Sequence, residues 1–291
     1  MLEKMAEFFD KRLEGYEEHQ LTNIDSAQEF YPYTAGCLPQ EANSVVLDLG
    51  CGTGLELEHY YSAVPTAKVT GIDLAPGMLA ALQKKFPGKD LALIRGSYFE
   101  VPFGEERFDA AVSVESLHHF TKEEKIPLYS KLQKALKPGG SFILTDYFAL
   151  SDEEETAHRQ ELIRLKKEQG LSENESYHYD TPLTVEHEKE ALLAAGFTSV
   201  EVLKNWGATY TLKAKKENTI QREDVTDEKD GDSYGIPLGM CLGLAAGTAI
   251  GAVTRNMGLW IPVGISLGLC FGAGLGKNKE KNGKDNTDKE E

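Results

Sequence analysis

The residues best suited to chemistry begin in one short stretch. Val45-Val46-Leu47-Asp48-Leu49 is an apolar run interrupted by a single carboxylate, and it leads into Gly50-Cys51-Gly52-Thr53-Gly54, with glycine at every second position. Glycines so spaced let the backbone approach a ligand closely, and the N-terminus of a helix starting there can face an anionic group. No Gly-Lys-Ser/Thr follows, so this is not a triphosphate loop, and Leu55 stands where the dinucleotide fingerprint has its third glycine. Nineteen residues beyond Gly54, Asp73 closes the next apolar run. A carboxylate at such a strand end can accept both hydroxyls of a ribose. Asp48, the loop and Asp73 together point to a nucleoside site.

A second cluster of reactive types is Ser113-Val114-Glu115-Ser116-Leu117-His118-His119. Imidazoles titrate near neutrality and are the commonest proton acceptors, so His118 and His119 are candidate bases, with His19 and Tyr16 behind them. The plainer reading of the pair is one helix cap and one exposed ring. Cys51 reads as a small filler rather than a nucleophile. The other cysteines, Cys37, Cys241 and Cys270, are scattered, with no CxxC and no Cys/His cluster, so no metal is expected. Four dispersed thiols suit a reducing compartment.

The elements that must position these groups alternate. Short apolar runs at 44–49, 67–73, 91–95, 108–114 and 140–148 predict strands. Helical spacing predicts helices over 54–64 and 76–86 and from Thr121, where Glu124 completes a capping box, to Lys137-Pro138-Gly139-Gly140. Ser151 and Glu154 open another helix that Gly170 ends, and 184–195 is a further one closed by Gly196. Two strands close together, TSVEVLKN and GATYTLKAKK, then form a hairpin, giving the sheet an antiparallel edge. The expectation is an α/β fold, a doubly wound and mostly parallel sheet with an antiparallel edge. Residues 2–18 predict one amphipathic helix, with Phe8, Phe9, Leu13 and Tyr16 on its apolar face, and residues 1–35 as a lid over the strand ends. The N-terminus lacks the apolar stretch of a signal peptide.

On these residues the chain resembles the class I S-adenosylmethionine-dependent methyltransferases, over about residues 44–215, which implies a Rossmann-like, seven-stranded, mostly parallel sheet with a reversed last strand. The resemblance implies S-adenosyl-L-methionine as cofactor, the glycine loop around its methionine part, and Asp48, Gly50, Cys51, Gly52, Thr53, Gly54, Asp73 and Leu74 as binding residues. It places Gly96, Ser97 and Tyr98 beside the adenine, with Ser97 standing where the family often has Asp. It also implies that Glu115 and the residues after it line the methyl-transfer site. A looser likeness is to the carboxy-S-adenosylmethionine synthases, in the FFDKRLEGYEEH helix, the charged insert after the fifth strand, and Ala195-Gly196-Phe197. The carboxylate-binding Arg of that group is missing, since Ala191 and Leu192 occupy the region. The resemblance therefore implies methyl transfer to a small-molecule or membrane-associated acceptor. A carboxy-S-adenosylmethionine-type synthase and a non-catalytic cofactor-binding membrane protein are the rivals.

Past Lys216 the character changes. Residues 217–234 are an acidic stretch without hydrophobic period and predict a solvated linker. Residues 235–276 hold one charge, Arg255, and glycines at 235, 239, 243, 247 and 251, then at 264, 268, 272 and 276. Spacing by four puts them on one helical stripe, which allows close helix approach in a bilayer. The expectation is a C-terminal α-helical hairpin with spans at 235–253 and 257–275, offering a route to homo-oligomers, followed by a Lys/Glu/Asp-rich tail at 277–291. Lys277, Lys279, Lys281 and Lys284 on one side and Arg222 and Lys229 on the other place both ends, and the enzyme, in the cytoplasm. The whole chain of 291 residues has 31 Lys+Arg against 47 Asp+Glu, a net charge of −16 that disfavours nucleic acid as a partner.

Overall fold

The computed structural model describes residues 1–172 and 177–218, together with Val263 and Ser266, both helical. The chain divides into two compact units, Met1–Thr219 and Ile220–Glu291. Apart from those two positions, the expected hairpin, along with most of the linker and the tail, lies outside the described residues. Among the described residues no helix is long and apolar enough to cross a membrane.

The first unit begins with three short helices, α1 (Met5–Lys11), α2 (Tyr16–Asn23) and α3 (Ala27–Cys37). Then follow β1 (Val45–Leu49), α4 (Leu55–Ala63), β2 (Lys68–Asp73), α5 (Pro76–Lys85), β3 (Asp90–Arg95), β4 (Phe108–Val114), α6 (Lys122–Ala135) and β5 (Leu136–Tyr147). The unit ends with α7 (Asp152–Glu168), α8 (Val185–Ala194), β6 (Ser199–Trp206) and β7 (Thr209–Lys215). The seven strands lie in the order β3-β2-β1-β4-β5-β7-β6. All neighbours pair parallel except β7, which is antiparallel to both β5 and β6. The reversed strand thus sits inside the sheet, and β6 forms the edge.

Alternate side chains of each central strand enter opposite layers. Leu47, Leu49, Phe142 and Leu144 pack with α6 and α8, whereas Val46, Val69, Ala110, Val112 and Ile143 pack with α3, α4 and α5. Both faces are covered, which is why these strands read as almost unbroken apolar runs. Helices α6 and α8 are joined by a buried ion pair, Lys125 Nζ to Glu188 Oε2 at 2.5 Å, and Tyr129 donates its hydroxyl to the same carboxylate. Burial of the two charges is tolerated because each is paired.

The structure departs from the sequence reading in three places. The single N-terminal helix is two, because Gly15 adopts φ +78 and breaks the run between α1 and α2. Lys137-Pro138-Gly139-Gly140 does not close α6. The helix stops at Ala135 and these residues form the irregular start of β5, where the register with β4 shifts. The Thr121 capping box has both its hydrogen bonds, but at Ser151 only half of it forms: Ser151 accepts from Glu154 N, while the Glu154 carboxylate takes Leu150 N instead.

The strand order reverses between β1 and β4, so their carboxyl ends diverge and leave a crevice, the usual ligand position in open α/β sheets. The glycine loop leaves β1 there, Asp73 ends β2, Glu115 follows β4, and Asp146 lies near the end of β5.

Candidate active site

The glycine loop is left-handed at all three glycines, with φ of +75 at Gly50, +47 at Gly52 and +72 at Gly54. Only at two of them is a side chain also blocked by neighbours. A Cβ on Gly50 would lie 2.1 Å from Ser116 Oγ, and one on Gly54 2.5 Å from Leu82 Cδ1. At Gly52 it would project into open space, with Tyr16 Oη nearest at 3.8 Å. Of the three, Gly52 alone opens onto space rather than onto packed side chains.

Asp73 is fixed by the loop it serves. Its Oδ2 accepts from Gly52 N at 2.9 Å and its Oδ1 from Ala75 N at 2.8 Å. Burial raises the Asp73 pKa, and these backbone donors pull it back. Beneath the loop, Asp48 and Glu56 are buried together, and burial pushes both carboxyls above their usual range. Asp48 Oδ2, Glu56 Oε1 and Thr53 Oγ1 are buried without a hydrogen-bond partner. Cys51 turns the other way, against Gly71, and burial pushes its thiol up, which fits the filler reading.

A cavity of about 60 Å³ lies over the loop, and Gly50, Gly52, Asp73, Leu74, Tyr98, Glu115, Tyr16 and His119 are among its walls. Asp48, Cys51, Thr53 and Gly54 support the loop from below, and Gly96 and Ser97 are not among the lining residues. The cover comes from the N-terminal helices, through Met5, Phe9 and Tyr16. Asp10 Oδ1 accepts from Gly77 N at 2.9 Å, Lys85 pairs with Glu17, and Phe8 stacks on His178 at 3.4 Å, so this cover is pinned to both sides. Cofactor pockets span roughly 300–1,000 Å³. The residues present suit S-adenosylmethionine, namely an open glycine, a positioned carboxylate and the unpartnered Glu115 Oε1 on the wall, but the N-terminal side chains occupy much of its space.

A cleft of about 930 Å³ adjoins this cavity, lined by His19, His118, His119, Tyr147, His178, Asp180 and Trp206 among others. Phe9, Tyr16, Glu115 and His119 belong to both walls. Neither histidine is exposed, contrary to the plainer sequence reading; each is 8% accessible. His118 Nδ1 lies 2.5 Å from Asp146 Oδ1, and its Nε2 lies 3.5 Å from Asp180 Oδ1. His119 Nδ1 is 3.2 Å from the same Asp180 oxygen and 3.2 Å from Tyr179 O.

Burial disfavours a charged His118, but Asp146 and Asp180 outweigh it and hold the ring well above the usual histidine range. Burial and the charge on His118 move His119 the other way. Glu115 has φ +49, a buried and unpartnered Oε1, and a carboxyl pushed up to about 8 by burial and by Asp146. Burial, then the carboxylates of Asp73, Glu56 and Glu115, push the Tyr16 phenol far up, so it stays a neutral hydroxyl. Asp146, Asp180 and His178 were not found by sequence reasoning. The available signal was Asp146, a carboxylate near a strand's carboxyl end like Asp73.

Comparison with known proteins agrees with this geometry. Residues 46–140 match the family model of the methyltransferase domain, and residues 227–278 match that of the glycine zipper membrane proteins. A biotin biosynthesis bifunctional protein of Teredinibacter turnerae is 30% identical over 187 residues, covering 56% of this chain and 32% of that protein. An uncharacterized methyltransferase of Geobacillus thermodenitrificans is 26% identical over 219 residues, covering 75% of this chain and 97% of that protein. The solved fold of Haemonchus contortus phosphoethanolamine N-methyltransferase 2, in complex with S-adenosyl-L-methionine, superposes with a TM-score of 0.55 at 17% identity, covering 73% of this chain and 58% of that one. The glycine-zipper match associates the C-terminal segment with membranes. Residues 46–140 thus carry a methyltransferase domain by its family match, on a sheet that shares its fold with the S-adenosyl-L-methionine-bound enzyme.

Proposed function

We propose that the whole chain is a membrane-tethered methyltransferase whose acceptor, a small molecule or a lipid, enters through the histidine-lined cleft and meets the cofactor at the wall that the two cavities share. The observation that carries this reading is that wall: Phe9, Tyr16, Glu115 and His119 face both spaces. Bound S-adenosylmethionine supplies a methyl group on a sulfonium whose charge disappears as the methyl leaves. Gly50, Gly52, Asp73, Leu74 and Tyr98 hold it, with Asp73 taking the ribose. The chain's own work is alignment and exclusion of water, which the apolar faces of α1 and α2 perform as a lid over residues 1–35. An acceptor that attacks through a hydroxyl or an ammonium must also lose a proton. The His118–His119 pair borders the acceptor space; His119 directs Nδ1 at two oxygen acceptors, so its Nε2 keeps the free electron pair. Tyr16 donates its hydroxyl to the substrates.

The C-terminal segment acts as the tether. Residues 235–253 and 257–275 insert as an antiparallel pair, with Arg255 on the far side and the enzyme in the cytoplasm. The glycine stripe packs the two helices together, and homo-oligomers form through it.

The test uses the full-length protein in detergent, methyl-labelled cofactor, and a metabolite and lipid extract, with the labelled product identified by mass. Transfer of a methyl group to one compound, dependent on Asp73, is expected. A product heavier by a carboxymethyl group, or cofactor binding with no transfer to any compound, would overturn the reading. For the tether, the full chain is expected in the membrane fraction and a Cys at Asn256 should be labelled only from the non-cytoplasmic side.

A further inference from the structure

Two imidazole nitrogens converge on a single carboxylate in the acceptor cleft. His118 Nε2 and His119 Nδ1 lie 3.5 Å and 3.2 Å from Asp180 Oδ1, and the ligand atoms of the three residues all fall within 4.8 Å of one another. Bonds of 2.0–2.1 Å at tetrahedral angles put ligand atoms about 3.3 Å apart. The spacing to Asp180 is therefore that of a metal site.

The second layer argues the same way. His118 Nδ1 faces the carboxylate of Asp146 at 2.5 Å, and Asp146 is itself buried and accepts from Leu117 N at 2.9 Å. A carboxylate behind the far nitrogen fixes the tautomer with its electron pair on Nε2, the arrangement found behind most metal-binding histidines. Asp180 is the exposed member, with 46% of its side chain accessible, and all three residues line the cleft. Three protein ligands with an open side form the pattern of a catalytic rather than a structural ion.

We propose that His118 Nε2, His119 Nδ1 and the Asp180 carboxylate form a three-ligand site for a divalent transition-metal ion, zinc foremost, and that the attacking atom of the methyl acceptor completes its coordination. This rests on the acceptor-cleft reading above. The ion would act as a Lewis acid: a bound hydroxyl or thiol would release its proton to water in the open cleft near neutral pH, and the resulting anion, held beside the shared wall, would take the methyl as the cofactor's sulfonium becomes a neutral thioether. His119 is then a ligand, and proton loss from the acceptor no longer depends on its free electron pair.

The experiment strips the full-length protein in detergent with a chelator and titrates it with Zn²⁺ alone and with Co²⁺ alone. One equivalent per chain is expected, with the visible absorption of low-coordinate Co²⁺. Asp180→Asn and His119→Gln should each weaken binding about 10–100-fold or more, and Asp146→Asn about 10–100-fold by releasing His118. Asp180 is half-exposed, so its variant keeps the fold, which melting and cofactor affinity verify. Asp73→Ala should bind the ions as the parent does. Absence of stoichiometric binding at micromolar metal, or binding unchanged in both Asp180→Asn and His119→Gln, overturns the site. Metal-free protein that transfers methyl groups at the full rate would also overturn the ion's role while leaving the methyltransferase reading intact. Stoichiometric metal with no methyl transfer would support the site and sink the acceptor reading instead.

Discussion

The two cavities that meet at Tyr16, Glu115 and His119 are built on opposite plans. The cofactor side is narrow, about 60 Å³, and its floor comes from residues adjacent in the chain: the Gly50–Gly54 loop and the end of the next strand. The acceptor side is an open cleft of about 930 Å³, whose walls come from the N-terminal helices, the segment after β4, the end of β5, residues 178–180 and the β6–β7 turn. A site made by backbone geometry tolerates almost no change in its glycines. A site made by converging side chains can change its chemistry one residue at a time, which is how one fold serves many acceptors. The contrast predicts that substitutions on the two sides separate cofactor binding from transfer.

The largest effect is expected at Gly50. A side chain there meets Ser116 Oγ at 2.1 Å and Ser116 Cβ at 2.7 Å, at a φ of +75. Gly50→Val should abolish measurable S-adenosylmethionine binding in calorimetry, while Asp180→Asn, on the other side, leaves that affinity unchanged. Parent-like affinity in Gly50→Val would show that cofactor binding does not depend on the loop's left-handed geometry. Asp73→Ala comes next. It removes the carboxylate proposed for the ribose, and with it the acceptor of Gly52 N in the loop and of Ala75 N at the start of α5. Losing a charged hydrogen bond costs about 1.5–3 kcal/mol. Affinity should therefore fall roughly 10–150-fold, and an undiminished affinity would refute the ribose assignment.

Removing residues 1–26 tests whether the two sides share a lid. Met5, Phe9 and Tyr16 cover the cofactor, and Phe8, Phe9 and Tyr16 also wall the cleft. The truncated chain should bind and release cofactor severalfold faster in stopped-flow measurements and turn over more slowly, because water enters the transfer site. If neither rate moves, these helices only pack.

The same contrast explains what the sequence disclosed. The loop, Asp73 and the alternation of strands and helices are local patterns, so the sheet with its reversed β7 was readable, as was the meeting of the loop with Asp73. Asp146 and Asp180 were not, because they reach His118 across 28 and 62 positions of chain, through strand order and the docking of residues 177–183. Proximity of that kind leaves no periodic trace. The N-terminal helix was misread for a related reason: one glycine, Gly15, decided the break, inside a run that is otherwise amphipathic throughout. Tyr16 stands out in the sequence and lines both cavities, but the burial and carboxylates that keep its phenol protonated belong to the fold.

The smallest effect concerns the pair beneath the loop. Asp48 and Glu56 are both fully buried, and burial raises both carboxyls; Asp73 adds to Asp48, whereas the Asp48 hydrogen bond and Lys85 partly offset the shift of Glu56. An acid whose pKa is higher in the folded chain binds more protons there than in the unfolded one. Stability then falls as pH rises from the ordinary carboxylate range, about 4, up to the folded value. Glu56→Gln supplies a permanent hydrogen-bond donor to Asp48 and removes one of the two titrating groups. Its melting temperature should therefore gain on the parent's as pH rises from 5 to 8, by a few degrees, since one kcal/mol is worth roughly 2–4 °C in a domain of this size. The measurement is a thermal melt of each protein without cofactor across that range. A constant difference between the two curves would mean that the pair does not share a proton, and that Glu56 supports the glycine loop only by its shape.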